Sequence, residues 1–89
     1  MIEQQVKIRN CLGIHARPAT LISQTAKKYK SKVLLVKDGF EVDAKSILDI
    51  LLLEAPQGSV LTLRADGPDE KEAIEALRKL IEERKFDEE

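Results

Sequence analysis

The sequence predicts an α/β (α+β) fold: a two-layer sandwich in which helices cover one face of an antiparallel or mixed sheet. Three observations carry this expectation. Several segments alternate apolar and polar residues, as half-buried strands with one wet face do. Others place apolar residues three and four apart, the single dry stripe of an amphipathic helix. The two kinds follow one another as β-α-β-β-α-β-α.

Each element has a local reason. In residues 2–10, Ile2, Val6 and Ile8 share one parity, and Glu3, Gln5, Lys7 and Arg9 share the other. Leu12-Gly13-Ile14-His15 is a loop with a glycine hinge. From Ala16 the period becomes helical, with Ala19, Ile22, Ala26 and Tyr29 on one face and Pro18 tolerated in the first turn. Val33 to Val36 and Phe40 to Asp43 read as strands, and the intervening Asp38-Gly39 is a hairpin turn signal. Ser46-Ile47-Leu48-Asp49 has the spacing of a capping box and opens a short helix through Leu53. Pro56-Gln57-Gly58 is a turn. Val60 to Ala65 alternates again, and Asp66-Gly67-Pro68 ends it. The last helix carries Ala73, Ile74, Leu77, Leu80 and Ile81, with Lys71, Glu75 and Lys79 at ion-pair spacing. The tail from Phe86 is expected to fray.

Composition narrows the function. A chain of 89 residues suits one domain, 1–89, with one modest core. Aromatics are only 3%, which leaves few stacking platforms for single-stranded nucleic acid. The net charge is −1, so no global basic field attracts a polyanion. The charge is polarised, however: residues 1–50 carry 9 Lys/Arg against 5 Asp/Glu, and residues 51–89 carry 6 against 11. The lone Cys11 excludes an internal disulfide, and one Cys with one His excludes a Cys/His zinc site within the chain. No apolar run reaches membrane-spanning length, and the first residues do not read as a signal peptide. A cytoplasmic protein without nucleic-acid partners or membrane insertion is expected.

The only histidine, His15, stands at the start of the first helix. With His15 as N-cap, the N–H groups of Ala16 and Arg17 are left without helical partners, and Pro18 has none to satisfy. Two backbone donors, the positive helix end and the Arg17 guanidinium then surround one imidazole. That is an anion site suited to phosphate. An ordinary exposed histidine near a helix start fits the same position. No second catalytic partner is evident, which disfavours hydrolytic chemistry. A ring that accepts a phosphoryl group needs only itself and anion stabilisers, because phosphoryl transfer is mostly positioning and electrostatics.

Leu12-Gly13-Ile14-His15-Ala16-Arg17-Pro18-Ala19 resembles the active-site motif of HPr, the histidine-containing phosphocarrier family of the bacterial phosphoenolpyruvate:sugar phosphotransferase system. Lys45-Ser46-Ile47 resembles the family's second signature, around a regulatory serine. Pro56-Gln57-Gly58 and Ala65-Asp66-Gly67-Pro68-Asp69-Glu70 resemble its later turns. The resemblance implies an open-faced sandwich with a four-stranded antiparallel sheet and three helices on one side. It implies that His15 takes a phosphoryl group on Nδ1 from phosphorylated enzyme I and passes it to IIA components of sugar permeases, with Arg17 assisting. It implies a carrier rather than a free-standing enzyme, with no metal or cofactor. Glycine is common in the family where this chain has Asp49 and Glu54. Pro18 favours the sugar-type carrier over a nitrogen-related paralogue with alanine there. A regulatory carrier or docking module without sugar transport is the alternative.

Ser46 has a complete structural role as an N-cap. The resemblance adds regulatory phosphorylation, with HPr kinase/phosphorylase as a partner. The short helix after it is apolar nearly all round, so part of it should remain exposed as a docking patch. Ile47, Leu48 and Leu51 are the expected docking residues, with Lys27 on the rim. The lysines around the end of the first helix otherwise complement its dipole. Cys11 has no expected chemistry. The protein is expected to be a monomer.

Overall fold

The computed structural model describes residues 1–88. Strands β1 (Ile2–Lys7), β2 (Lys32–Lys37), β3 (Phe40–Asp43) and β4 (Val60–Asp66) form one sheet in the order β1-β4-β2-β3. Every neighbouring pair is antiparallel. Helices α1 (Ala16–Lys27), α2 (Ile47–Leu51) and α3 (Glu70–Arg78) complete the β-α-β-β-α-β-α order. The architecture is the open-faced sandwich with a four-stranded antiparallel sheet and three helices.

The alternation in the strands sorts their side chains. Val6, Leu61, Leu63, Ala65, Val33, Leu35 and Val42 are buried, as are Ala19, Ile22, Ala26, Ala73, Ile74 and Leu77 from the helices. The core is thus almost wholly aliphatic, as the composition requires. Away from it, Arg64 on β4 bridges Glu3 on β1 and Glu41 on β3, at 2.7 and 2.6 Å. Asp38 and Gly39 both take positive φ (51° and 82°) between the paired Lys37 and Phe40. This is the two-residue turn whose twist matches that of the flanking strands.

Several expectations need correction. The helix expected through Leu53 ends at Leu51, and Leu52 and Leu53 form a turn. β1 ends at Lys7 and does not run on to Asn10. Ile8 nevertheless exchanges backbone bonds with Ser59 and Gly58, at 2.8 Å each, and stays buried. Glu75 does not pair with Lys71 or Lys79. Arg78 gathers Glu75, Glu82 and Glu83 instead, because its planar fork holds several carboxylates at once. The final helix also changes winding after Arg78. Over Lys79–Glu83 it widens into a π turn, closed by Arg84 N–H donating to Lys79 O at 2.8 Å.

The tail does not fray at Phe86. Lys85, Phe86 and Asp87 form a left-handed hook, with φ of 50°, 57° and 58°. Left-handed backbone costs about 1–2 kcal/mol for each residue with a Cβ. Complete burial of the Phe86 ring offsets this, and an Arg84–Asp87 ion pair spans the hook. The hook returns the chain to the start of α1.

Candidate phosphoryl-acceptor site

The site is built by a loop that cannot relax. Gly13 has φ +68°, and a Cβ there would overlap the Ala55 carbonyl and Pro56. The Ile14 N–H donates to the same carbonyl at 2.8 Å. The loop therefore sits directly on the Ala55-Pro56 segment, which fixes where the next residue, His15, enters α1.

His15 is the N-cap of α1 in extended conformation, and its side chain makes no capping bond. Its carbonyl accepts from Ala19 N–H at 3.0 Å, the first bond of the helix. Among the described residues, the N–H groups of Ala16 and Arg17 have no backbone partner outside the helix. The imidazole is 38% exposed and the Arg17 side chain 51%, so both are open to an incoming group.

The tail supplies the rest of the site. Arg17 Nη1 donates to the Phe86 carbonyl and lies 3.5 Å from Glu88 Oε2. Glu88 Oε1 lies 3.0 Å from His15 Nε2 and accepts from Asn10 Nδ2 at 2.8 Å. The same Asn10 nitrogen donates to Gly13 O at 2.7 Å. The hydrogen bond with His15, and then that from Asn10, hold the Glu88 carboxyl below the usual carboxylate range.

Asn10, Phe86 and Glu88 are site residues that sequence reasoning did not find. Phe86 carried a signal: it is an aromatic residue among Arg84, Lys85 and Asp87 in a chain with few aromatics. Nothing in the sequence links Asn10 or Glu88 to His15. Cys11 is exposed and unpaired.

The second expected feature lies at α2. Ser46 is its N-cap, accepting from Asp49 N–H at 3.3 Å. Ser23 Oγ on α1 donates to Lys45 O at 2.8 Å, and Lys45 Nζ donates to Tyr29 O beyond the end of α1. The two helices are thereby tied together beside Ser46. Leu48 is 75% exposed and Leu52 62%, while Ile47 is at the margin. Leu51, expected on the docking patch, is half-buried and packs on the core. Ile50 and Leu53 set the buried direction, so the exposed ridge runs from Leu48 to Leu52, four residues on. Lys27 is exposed in the last turn of α1.

A family model for the PTS HPr component phosphorylation site matches residues 2–83. The chain belongs to the HPr family. It is 44% identical to the phosphocarrier protein HPr of Treponema pallidum over 89 residues, covering 100% of both chains. Among solved structures, HPr-C-His from Thermoanaerobacter tengcongensis superposes with a TM-score of 0.95 at 50% identity, covering 100% of this chain and 99% of that one. The HPr dimer from the same organism gives a TM-score of 0.75 at 48% identity, covering 96% of this chain and 98% of that one. As a member of the HPr family, the chain is a phosphocarrier of the phosphotransferase system and not a catalyst. Among the described residues, no helix is long and apolar enough to cross a membrane.

Proposed function

We propose that His15 is the acceptor, taking a phosphoryl group on Nδ1 from phosphorylated enzyme I and passing it to IIA components of sugar permeases. The carrying observation is the half-exposed His15 ring at the N-cap of α1, with no capping duty and with the Arg17 guanidinium close by in the first turn. Nδ1 has no hydrogen-bond partner among the described residues. An incoming phosphoryl group meets the positive end of α1 and the N–H groups of Ala16 and Arg17. Arg17 exchanges its bond to the neutral Phe86 carbonyl for one to the phosphoryl oxygens, in which both partners are charged. Partners dock on the Ile47, Leu48 and Leu52 surface, with Lys27 on its rim, and the carrier acts as a single monomeric domain in the cytoplasm. Ser46 is a site of regulatory phosphorylation by an HPr kinase/phosphorylase, beside that surface.

The test is incubation with phosphoenolpyruvate and enzyme I, followed by mass spectrometry. One acid-labile phosphoryl group on His15 is expected. His15→Ala is expected to abolish it without unfolding the protein, and Arg17→Ala to slow transfer while leaving acceptance detectable. An acid-labile phosphate on the His15→Ala protein rules the assignment out.

A further inference from the structure

Glu88 lies outside the segment that the family model matches, residues 2–83, yet it touches the proposed acceptor directly. Its oxygens meet three donors. Oε1 faces His15 Nε2 and Asn10 Nδ2, and Oε2 faces Arg17 Nη1. The side chain is only 20% exposed, so this is a packed position rather than a loose surface pair. Two anchors hold it there. Phe86, two residues earlier, is fully buried. Asn10, also fully buried, turns its amide nitrogen to both Glu88 and Gly13 O while its Oδ1 has no hydrogen-bond partner among the described residues. An amide that leaves its own acceptor unmatched to present its donor shows that the donor's two acceptors define the orientation.

A neutral imidazole carries one proton on one of two nitrogens. An ionised carboxylate only accepts, so the contact at Nε2 requires the proton to be on Nε2. We propose that Glu88 is a positioning residue for phosphoryl transfer, keeping the ring proton on Nε2 of His15 and so leaving the Nδ1 lone pair bare. This rests on the reading of His15 as the acceptor. In the transfer, the Nδ1 lone pair forms the bond to phosphorus, and the donor's leaving atom departs with the electrons of its old bond. The Nε2 proton stays in place. The ring gains positive charge as the bond forms, and the Glu88 carboxylate is already beside it, as preorganised electrostatic stabilisation requires. Arg17 remains free to turn from the tail to the phosphoryl oxygens.

The test is ¹⁵N NMR of the labelled His15 ring in the unphosphorylated full chain, at about pH 8.5, above the usual imidazole range. The wild-type ring is expected to show a protonated Nε2 and a bare Nδ1. In Glu88→Ala the two ¹⁵N shifts move toward each other, as both tautomers become populated. Glu88→Gln keeps the packing, and its amide serves either tautomer, so the same change is expected there. Phosphorylation of Glu88→Ala by enzyme I slows by about threefold to tenfold, the effect of losing a partly exposed charge-assisted hydrogen bond. A wild-type ring protonated on Nδ1, unchanged ring shifts in both variants, or a wild-type rate in Glu88→Ala overturns the proposal. Failure of the acceptor reading looks different: wild-type protein gains no phosphoryl group on His15, whatever its ring spectrum.

Discussion

At the scale of single residues, Ser46 separates a cap from a switch. Its hydroxyl accepts the Asp49 N–H at the start of α2. Ser46→Ala removes that acceptor and is expected to cost about 1 kcal/mol, measured as a lower urea midpoint. Ser46→Asp keeps a capping oxygen and adds negative charge at a helix start, so the melting temperature should stay at the wild-type value or rise slightly. The added charge lies beside Asp49 and close to the exposed Leu48. If a partner approaches with acidic residues, the rate of His15 phosphorylation falls, and the deficit shrinks at high salt as the repulsion is screened. An unaltered rate at low salt would leave Ser46 as a helix cap and nothing more.

At the scale of elements, two turns besides the Asp38-Gly39 hairpin hold non-glycine residues in left-handed backbone. The first is Glu54, at φ 51° just after α2. Its carbonyl and that of Leu53 both accept from Lys37 Nζ, at 3.2 and 3.1 Å. This conformation explains why glycine suits the position, since glycine adopts it without the Cβ penalty. Glu54→Gly is expected to stabilise the protein by up to about 1 kcal/mol in urea unfolding, because the released strain exceeds glycine's extra unfolded-state entropy. The second is the hook at Lys85–Asp87, held by one ring. Phe86→Ala is expected to cost about 3–5 kcal/mol, as large-to-small changes at buried aromatic positions do. It should also free Glu88 from His15, visible as a change in the His15 ring signals. A ring spectrum unchanged by Phe86→Ala would show that the hook does not depend on its anchor.

At the scale of the whole molecule, Asp69 ties the start of α3 to the connection between α1 and β2. Its carboxylate accepts from the backbone N–H groups of Lys30 and Ser31 at 2.9 Å each and from the Ser31 hydroxyl. The Ser31 hydroxyl bond, followed by that from Lys30, brings the Asp69 carboxyl from 3.8 down to about 2. The folded protein therefore prefers the ionised form more strongly than the unfolded chain does. This contribution is fully present above pH 3.8 and is lost as the pH falls from there toward about 2. Glu70, Glu75, Asp87 and Glu88 are also lowered, so their contributions have the same sign. The urea midpoint should fall as the pH drops through this acid range. Asp69→Asn should flatten part of that fall, and an equally steep fall in Asp69→Asn would remove Asp69 as a cause.

The element order, the buried faces and the place of His15 at a helix start are legible in the residue pattern. These follow from short-range physics: side-chain periodicity fixes which faces are dry, and Asp38-Gly39, Ser46 and Pro18 carry their turn or helix-start signals within a few residues. What surrounds the His15 ring depends on contacts between residues far apart in the chain. Asn10 and Glu88 are 78 positions apart, and Glu88 reaches His15 across 73. No periodicity relates such residues. A charged tail reads as solvated when its own composition is the only guide, and burial of Phe86 in a core assembled from every element reverses that. The same holds on α2, where an apolar run alone cannot distinguish Leu51 from Leu52. Packing against the core turned the first inward and left the second exposed.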